Sequence, residues 1–143
     1  MPKIHKSALV VYPAELMFQL VDDIEAYPEF LPWCHASRVL KREGDIVEAE
    51  LEIAKGAVRQ VFATRNVNQP GKEIRMSLLH GPFKYLQGTW RFEPLKADAS
   101  KVSLDLEFEI ASGLGGLVFG AVFKQMGETL VSAFLQRARQ RYA

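Results

Sequence analysis

Apolar and polar side chains alternate most regularly between residues 47 and 53 of this chain. Apolar residues occupy the odd positions from Val47 to Ile53, and glutamates occupy the three positions between them. A period of two is what an antiparallel strand with one buried face requires. The same alternation recurs from Lys101 to Ile110, where the even positions are apolar. In both strands the acidic side chains share the opposite face, so we interpret them as solvated rather than as a catalytic cluster.

The dipeptide Lys55-Gly56 follows the first of these strands and predicts a tight turn into the next one. A two-residue loop at this dipeptide places Ile53 opposite Val58 and Glu52 opposite Arg59. In this register, apolar side chains of the two strands lie on one face of the hairpin and an ion pair lies on the other face. Because such a pair contributes only about 0.2 to 1 kcal/mol, the buried face is expected to set the register.

The rest of the pattern predicts short helical segments and further strands. Pro13 suits the first turn of a short helix, whereas Pro28 and Pro32 exclude a long regular helix around them. Clusters of turn-forming residues separate the later strands. The predicted bounds are 3–12 for the first strand, 13 to about 23–26 for the helix, 27–33 for the proline-bounded segment, and 73–79, 84–94 and 101–110 for the last three strands.

Apolar residues recur at helical spacing near the end of the chain and predict a long helix with one buried face. They are Phe119, Val122, Phe123, Met126, Leu130, Ala133 and Phe134. A strand, one or two short helices, about six strands and a long terminal helix indicate the α+β class, in which an antiparallel sheet packs one face on a helix.

Composition favours one domain with no strong electrostatic preference for a partner. The chain has 143 residues, which fits a single core over residues 1–143. Its 18 Lys and Arg residues balance 17 Asp and Glu residues for a net charge of +1, so we expect no DNA partner. One cysteine cannot form an internal disulfide, and no apolar run reaches the roughly 20 residues of a membrane span. No secretory leader is recognisable, so the expected location is the cytoplasm.

No group of side chains indicates catalysis or metal binding. The three histidines are far apart in the sequence, without the spacing that metal ligands need. Cys34 follows an apolar segment, which favours a small buried hydrophobe over a nucleophile. We therefore expect a protein without enzymatic activity, metal or cofactor. An enzyme would need an ionisable side chain inside a cavity, for which His35, Tyr12 and Tyr85 are the candidates.

Large apolar side chains of the predicted sheet and helix converge, which predicts either a ligand cavity or a solid core. The proline-bounded segment would cover such a cavity as a lid. Residues 114–123 carry no charged or hydrogen-bonding side chain, so this part of the helix needs cover from protein, ligand or lipid. The predicted ligand-binding residues are Phe30, Leu31 and Trp33 of the lid, Phe62, Met76, Leu78, Trp90, Phe92, Leu106 and Phe108 of the sheet, and Phe119, Val122, Phe123, Met126 and Leu130 of the helix.

Four short motifs carry a resemblance to a known family. They are Tyr27 to Cys34, His80 to Phe83, Leu86 to Phe92, and the pair Phe119 and Phe123. Together they resemble the START-like family of coenzyme Q-binding and bacterial RatA proteins, within the polyketide cyclase/dehydrase and lipid-transport superfamily. His80 departs from the family pattern, because many relatives have Asp at this position. The resemblance implies the helix-grip fold of START and birch-allergen-like proteins, with a curved antiparallel sheet wrapped around a long C-terminal helix.

The resemblance implies three functions, of which the apolar motifs favour the first. It is non-catalytic binding of ubiquinone or an isoprenoid precursor in support of respiratory electron transport, with a peripheral contact to the inner membrane. The second is a RatA-type toxin that binds the large ribosomal subunit and blocks subunit association. A basic surface for that contact is predicted at Arg137, Arg139 and Arg141 in the last helix. The third is an aromatic polyketide cyclase or dehydratase.

Overall fold

The fold follows the order of elements that the sequence predicts. The computed structural model describes residues 3–111, 113 and 116–142, which form seven strands, two α-helices and one 3-10 helix. The elements are β1 (Lys3–Val10), α1 (Ala14–Asp22), the 3-10 helix (Ile24–Glu29), β2 (Cys34–Glu43), β3 (Ile46–Lys55), β4 (Val58–Gln69), β5 (Glu73–His80), β6 (Phe83–Lys96), β7 (Ala99–Ile110) and α2 (Gly116–Tyr142).

All seven strands belong to one curved antiparallel sheet in the order β1-β7-β6-β5-β4-β3-β2. Strands β2 to β7 form a meander, as predicted. The first strand instead pairs with the last, with Lys3 opposite Glu107 and Val10 opposite Ser100. The long helix α2 covers the inner face of this sheet, which confirms the helix-grip prediction.

The hairpin between β3 and β4 shows that the predicted register is wrong by two residues. Lys55 pairs with Val58, so the loop is Gly56-Ala57 rather than the dipeptide one residue earlier. The first loop residue has φ of 60°, which glycine adopts without strain. A shift of two leaves every side chain on its predicted face. Glu52 and Arg59 still meet as a diagonal pair, with 3.6 Å between Oε2 and Nη1.

Several element bounds differ from the sequence prediction. β1 ends at Val10, and beyond it the Tyr12 carbonyl accepts a hydrogen bond from the Ser100 hydroxyl at 2.8 Å. β6 extends to Lys96 and β7 begins at Ala99, so only two residues connect them. The helix predicted from residue 13 is divided into α1 and the 3-10 helix, which together bring the proline-bounded segment against the sheet and α2.

Helix α2 packs on the sheet through the apolar stripe that the sequence predicts. Phe119 and Phe123 are among its buried side chains. At Gly127 the helix approaches β1 and β7 so closely that an added Cβ would lie 2.6 Å from Ile4 Cδ1 and 3.2 Å from Leu106 Cδ2. This glycine therefore fixes the separation of helix and sheet near the middle of the helix, where a cavity remains.

The start of α2 is apolar and exposed. Leu117 is 94% exposed and Val118 is 58% exposed. The sequence predicts that residues 114–123 need cover, and the sheet covers only the side of this segment that carries Phe119 and Phe123. Leu114 and Gly115 lie outside the described residues. Within the described parts of the chain, no helix is both long enough and apolar enough to cross a membrane.

Candidate ligand cavity and helix groove

A cavity of about 90 Å³ lies between the inner face of the sheet and α2. Residues of both large apolar clusters of the core form its wall. Trp90, Leu104 and Phe134 come from one cluster, and Phe62 and Phe123 come from the other. The described residues that line it are Ile24, Tyr27, Trp33, Ala49, Leu51, Phe62, Thr64, Asn66, Met76, Leu86, Gly88, Trp90, Leu104, Leu106, Phe123, Met126, Gly127, Leu130 and Phe134. None of these side chains is charged.

The structure brings about half of the predicted ligand-binding residues to this cavity. They are Trp33, Phe62, Met76, Trp90, Leu106, Phe123, Met126 and Leu130. Phe92 and Phe119 are almost completely buried beside it, one in each apolar cluster, and Leu78 and Val122 pack against the cluster that contains Phe119. Phe108 lines an outer groove of about 510 Å³ near the start of α2. Phe30 and Leu31 line a separate groove described below.

The volume of the cavity limits what it can hold in this conformation. A dry cavity of about 150 Å³ accommodates benzene, and drug-sized ligands occupy about 300 to 1,000 Å³. At about 90 Å³, this cavity has no room for an isoprenoid chain. Most of the predicted pocket is therefore filled by its own side chains, and a larger ligand requires the wall to move.

The sequence prediction missed the polar part of the wall. Phe62, Thr64, Asn66 and Asn68 alternate along β4 with their side chains toward the inner face. Thr64 Oγ1 donates a hydrogen bond to Asn66 Oδ1 at 2.9 Å, and Asn66 is only 6% exposed. Buried polar side chains are costly unless they are paired. The sequence does contain a signal for this polar wall, because Thr64, Asn66 and Asn68 are in phase with the buried side of the strand.

Asn68 has a different role from its neighbours on β4, because it lies outside the cavity wall and connects the strand to α1. Its Nδ2 donates to Asp22 Oδ1 at 3.1 Å, and Arg42 Nη1 donates to the other carboxylate oxygen at 3.0 Å. This cluster holds the end of α1 between β2 and β4. Asn68 Oδ1 is buried without a hydrogen-bond partner among the described residues.

A groove of about 390 Å³ runs outside the cavity, between the proline-bounded segment and α2. Phe30, Leu31, Pro32 and Trp33 form one side, and polar residues of the helix form the other. Trp33 lines both the groove and the cavity. This half-buried indole therefore separates the internal space from the surface, which is the position expected of the predicted lid.

The structure corrects the predicted basic surface at Arg137. Its side chain is 13% exposed, and Nη2 lies 2.6 Å from Glu29 Oε1. The guanidinium carbon also lies 4.9 Å from the centre of the Phe30 ring, a cation–π geometry. Arg137 thus fastens the lid segment to α2. Only Arg139 and Arg141 of the predicted group are exposed.

None of the three predicted acid–base candidates lines the cavity. His35 Nε2 lies 3.8 Å from Glu52 Oε2 on the outer face, and Tyr85 donates to Glu107 at 3.0 Å. Tyr12 packs against Tyr142 near the end of α2. The described residues also contain no cluster of three or more potential metal ligands.

Tyr27 does line the cavity, but its hydroxyl is already committed. It donates a hydrogen bond to the Val21 carbonyl. Burial, assisted by the negative charges of Asp22 and Asp23, raises the pKa of Tyr27 above its ordinary range. The residue therefore stays neutral and serves as a fixed part of the wall rather than as an acid or base.

Cys34 provides a test of burial through pH. Burial, with a smaller contribution from the Glu52 carboxylate, raises the pKa of the thiol to about 11, so the reactive thiolate is scarce at neutral pH. In the unfolded chain the thiol pKa is about 8.5. We expect the thiol to lower the free energy of unfolding by at most about 3 kcal/mol as the pH rises from 8 to 11, because the unfolded chain releases this proton first.

Urea denaturation across this pH range, compared with Cys34→Ala, measures the contribution of the thiol. The free energy of unfolding of the variant should fall less at alkaline pH, because the variant lacks the thiol while all other titrating groups are the same in both proteins. Identical pH dependence in the two proteins would show that the thiol is not buried as described.

A curved antiparallel sheet closed over a long C-terminal helix, with an apolar cavity between them, defines a helix-grip protein. The chain belongs to the polyketide cyclase/dehydrase and lipid transport family, whose profile matches residues 10–135. The fold is similar to that of the Zhui aromatase/cyclase from Streptomyces sp. R1128, with a TM-score of 0.86, 18% identity and 99% and 96% of the two chains covered. An 18 kDa protein from Caulobacter crescentus is 32% identical, with a TM-score of 0.72 and 99% of each chain covered.

The curated relatives of the chain include bacterial toxins and a coenzyme Q-binding protein. The ribosome association toxin RatA of Pseudomonas aeruginosa is 49% identical over 97% of this chain and 96% of its own length. The protein of the same name from Escherichia coli K12 is 41% identical over 100% of this chain and 90% of its own length. The mitochondrial coenzyme Q-binding protein COQ10 homolog B of Xenopus laevis is 28% identical over 96% of this chain and 58% of its own length.

Proposed function

We propose that this protein associates with ribosomes, as the names of its RatA relatives describe for those proteins. The observation that carries the proposal is the similarity to the Pseudomonas aeruginosa protein, which is 49% identical over almost the full length of both chains. Of the functions that the sequence resemblance implies, we therefore favour ribosome binding over ubiquinone binding. The expected partner is the large subunit, and the expected consequence is that the two subunits no longer join.

The C-terminal end of α2 is the candidate contact for ribosomal RNA. Arg139 and Arg141 lie in the last turn of the helix and are exposed. Positive side chains that neutralise phosphates give binding that weakens steeply with salt. Arg137 contributes no free charge to this surface, because it is paired with Glu29.

Sucrose-gradient sedimentation of the protein with separated ribosomal subunits tests the proposal. We expect the protein to move with the large subunit at low salt and to reduce the fraction of joined ribosomes. For the Arg139→Gln/Arg141→Gln variant, the negative slope of log K against log[salt] should become shallower by about two, since each phosphate contact contributes about one to its magnitude.

The matched control removes two other exposed cations, as Arg65→Gln/Lys124→Gln. Lys124 lines the outer groove with Gly116 and Leu117 near the start of α2, and Arg65 lies on the exposed face of β4, so both lie away from the end of the helix. The control should sediment like the original protein. Absence of the protein from every ribosomal fraction at low salt would contradict ribosome association, and equal loss in both variants would contradict the proposed surface.

The apolar cavity supports a second proposal, that the protein also binds a hydrophobic ligand such as ubiquinone or an isoprenoid precursor. Its lining has no charged side chain among the described residues. Burial of an apolar ligand contributes about 0.8 kcal/mol per methylene before ordering costs. Occupancy requires displacement of Trp33 or of flexible side chains such as Met76 and Met126.

Mass spectrometry of an organic extract tests this second proposal. Protein purified without denaturant from a ubiquinone-producing host should carry a stoichiometric quinone or isoprenoid. The same host expressing Phe119→Leu, which alters solid core outside the cavity wall, should give the same ligand content per folded protein. An extract without lipid would contradict the proposal.

A further inference from the structure

We propose that Asn66 and Thr64 form a subsite that hydrogen-bonds a carbonyl or quinone oxygen of a neutral ligand inside the cavity. This inference rests on the second proposed function, the binding of a hydrophobic ligand. It adds the residues that hold the polar group of the ligand and the position of that group in the cavity.

The two side chains lie on one face of β4 and both line the cavity. Thr64 Oγ1 donates to Asn66 Oδ1 at 2.9 Å. Asn66 is 6% exposed, so water reaches it poorly. The pair is therefore a polar spot in an otherwise apolar wall, next to Met76 on β5, which pairs with Asn66 across the sheet.

The hydrogen-bonding capacity of the pair is only partly used. A carboxamide has two N–H donors and one acceptor oxygen, and a threonine hydroxyl has one donor. In the described orientation the bond between the two side chains leaves the amide donors available. If the amide is rotated by half a turn, the threonine hydroxyl proton becomes available instead. Among the described residues, the structure gives the Asn66 amide nitrogen no acceptor.

The rest of the lining determines the charge and polarity of the ligand. The Tyr27 hydroxyl donates to the Val21 carbonyl, which removes its proton from use. The remaining polar side chains among the described lining residues are those of Trp33 and Trp90, whose indole N–H groups are donors. A wall with donors, few acceptors and no charged side chain complements a neutral molecule that accepts hydrogen bonds. Ketones and quinones have this chemistry, whereas carboxylates and phosphates do not.

The volume restricts the part of the ligand that reaches the subsite. At about 90 Å³ the cavity can hold only a compact group. The absence of a side chain at Gly88 on β6 leaves part of this space unfilled. A Cβ on Gly88 would lie 2.8 Å from Met76 Cε and 2.9 Å from Leu106 Cδ1. A ring-sized group enters once Trp33 moves outward into the groove that it borders.

Two probes of nearly equal shape test the subsite directly. Acetophenone and α-methylstyrene differ by replacement of a carbonyl oxygen with a methylene group. Titration of each into ¹⁵N-labelled protein, followed through the two indole resonances and the Asn66 side-chain amide, gives a Kd for both. With acetophenone we expect the Asn66 amide resonances to shift. In Asn66→Leu, the Kd of acetophenone should rise about fivefold relative to that of α-methylstyrene, because acetophenone loses one neutral hydrogen bond.

Controls separate the failure of the subsite from the failure of ligand binding. Met126→Leu changes the helix side of the wall and leaves the polar pair on β4 in place, so the ratio of Kd values should be preserved. Thr64→Val provides a second test of the pair if Asn66→Leu does not fold. An unchanged ratio of Kd values in the folded variants, or Asn66 amide resonances that do not shift with acetophenone, would overturn the subsite. Binding of both probes would still support a ligand cavity in that case. Failure of both probes to bind the original protein overturns the subsite and the hydrophobic-ligand proposal together.

Discussion

Phe123→Ala is expected to lower the free energy of unfolding by about 3 to 5 kcal/mol, the range for loss of a buried phenylalanine. Phe123 lines the cavity on one side, but its ring also packs against four others. The centroid distances are 5.8 Å to Phe62, 4.9 Å to Phe83, 4.8 Å to Phe108 and 5.9 Å to Phe119. Because these rings hold one another in close, mostly edge-on contact, they cannot collapse readily into the space left behind.

Chemical denaturation measures this effect, with Leu117→Ala as the control on the same helix. Leu117 is 94% exposed, so its truncation should change stability by less than about 0.5 kcal/mol. A loss below about 1 kcal/mol for Phe123→Ala would mean that the start of α2 packs more loosely than the structure indicates.

Gly81→Ala should destabilise the protein by about 2 to 6 kcal/mol. Gly81 has φ of 149°, a conformation that costs other residues roughly 1 to 3 kcal/mol. Its added Cβ would also lie 2.6 Å from Phe62 Cβ and 3.1 Å from Phe62 Cα, and overpacking of this kind costs roughly 1 to 3 kcal/mol more. The strand that follows begins at Phe83, whose ring contacts Phe62 and Phe123, so the turn and the aromatic core share this constraint.

Gly44→Ala separates the two contributions to that loss. Gly44 has φ of 59°, but an added Cβ would meet nothing within 4 Å, so its substitution should cost only about 1 to 2 kcal/mol. The comparison uses the midpoint of thermal or urea unfolding. Equal losses in the two variants would show that the contact with Phe62 contributes nothing, and that backbone conformation alone selects glycine at position 81.

The elements of this fold could be predicted from the sequence because period and burial are local signals. Alternation in β3 and β7 and the helical stripe of α2 each record which side faces the core. The register of the β3–β4 hairpin could not be predicted from the same signal, because a shift of two preserves both faces. The position of the loop in this hairpin depends instead on which residue adopts a positive φ. Gly56 adopts it, as the first residue of the loop.

The candidate site was only partly predictable, for a different physical reason. The apolar residues that converge could be named from the sequence, but the space left between them depends on the separation of helix and sheet at Gly127. Arg137 looked like a surface cation because its partner Glu29 is distant in sequence. Thr64 and Asn66 were not predicted because a search for apolar positions passes over polar residues that lie in phase with a buried face.

The pairing of the first strand with the last has a consequence for biosynthesis. During translation β1 emerges before any other strand, yet its partner β7 is the last strand made, and α2 follows even later. The apolar inner face of the sheet therefore stays uncovered until the final helix leaves the exit tunnel. Native contacts so distant in sequence form slowly, and exposed apolar surface favours aggregation in the meantime. The pairing of β1 and the cover of the inner face both wait for the last two elements, β7 and α2, so this sheet cannot be completed strand by strand as the chain is made.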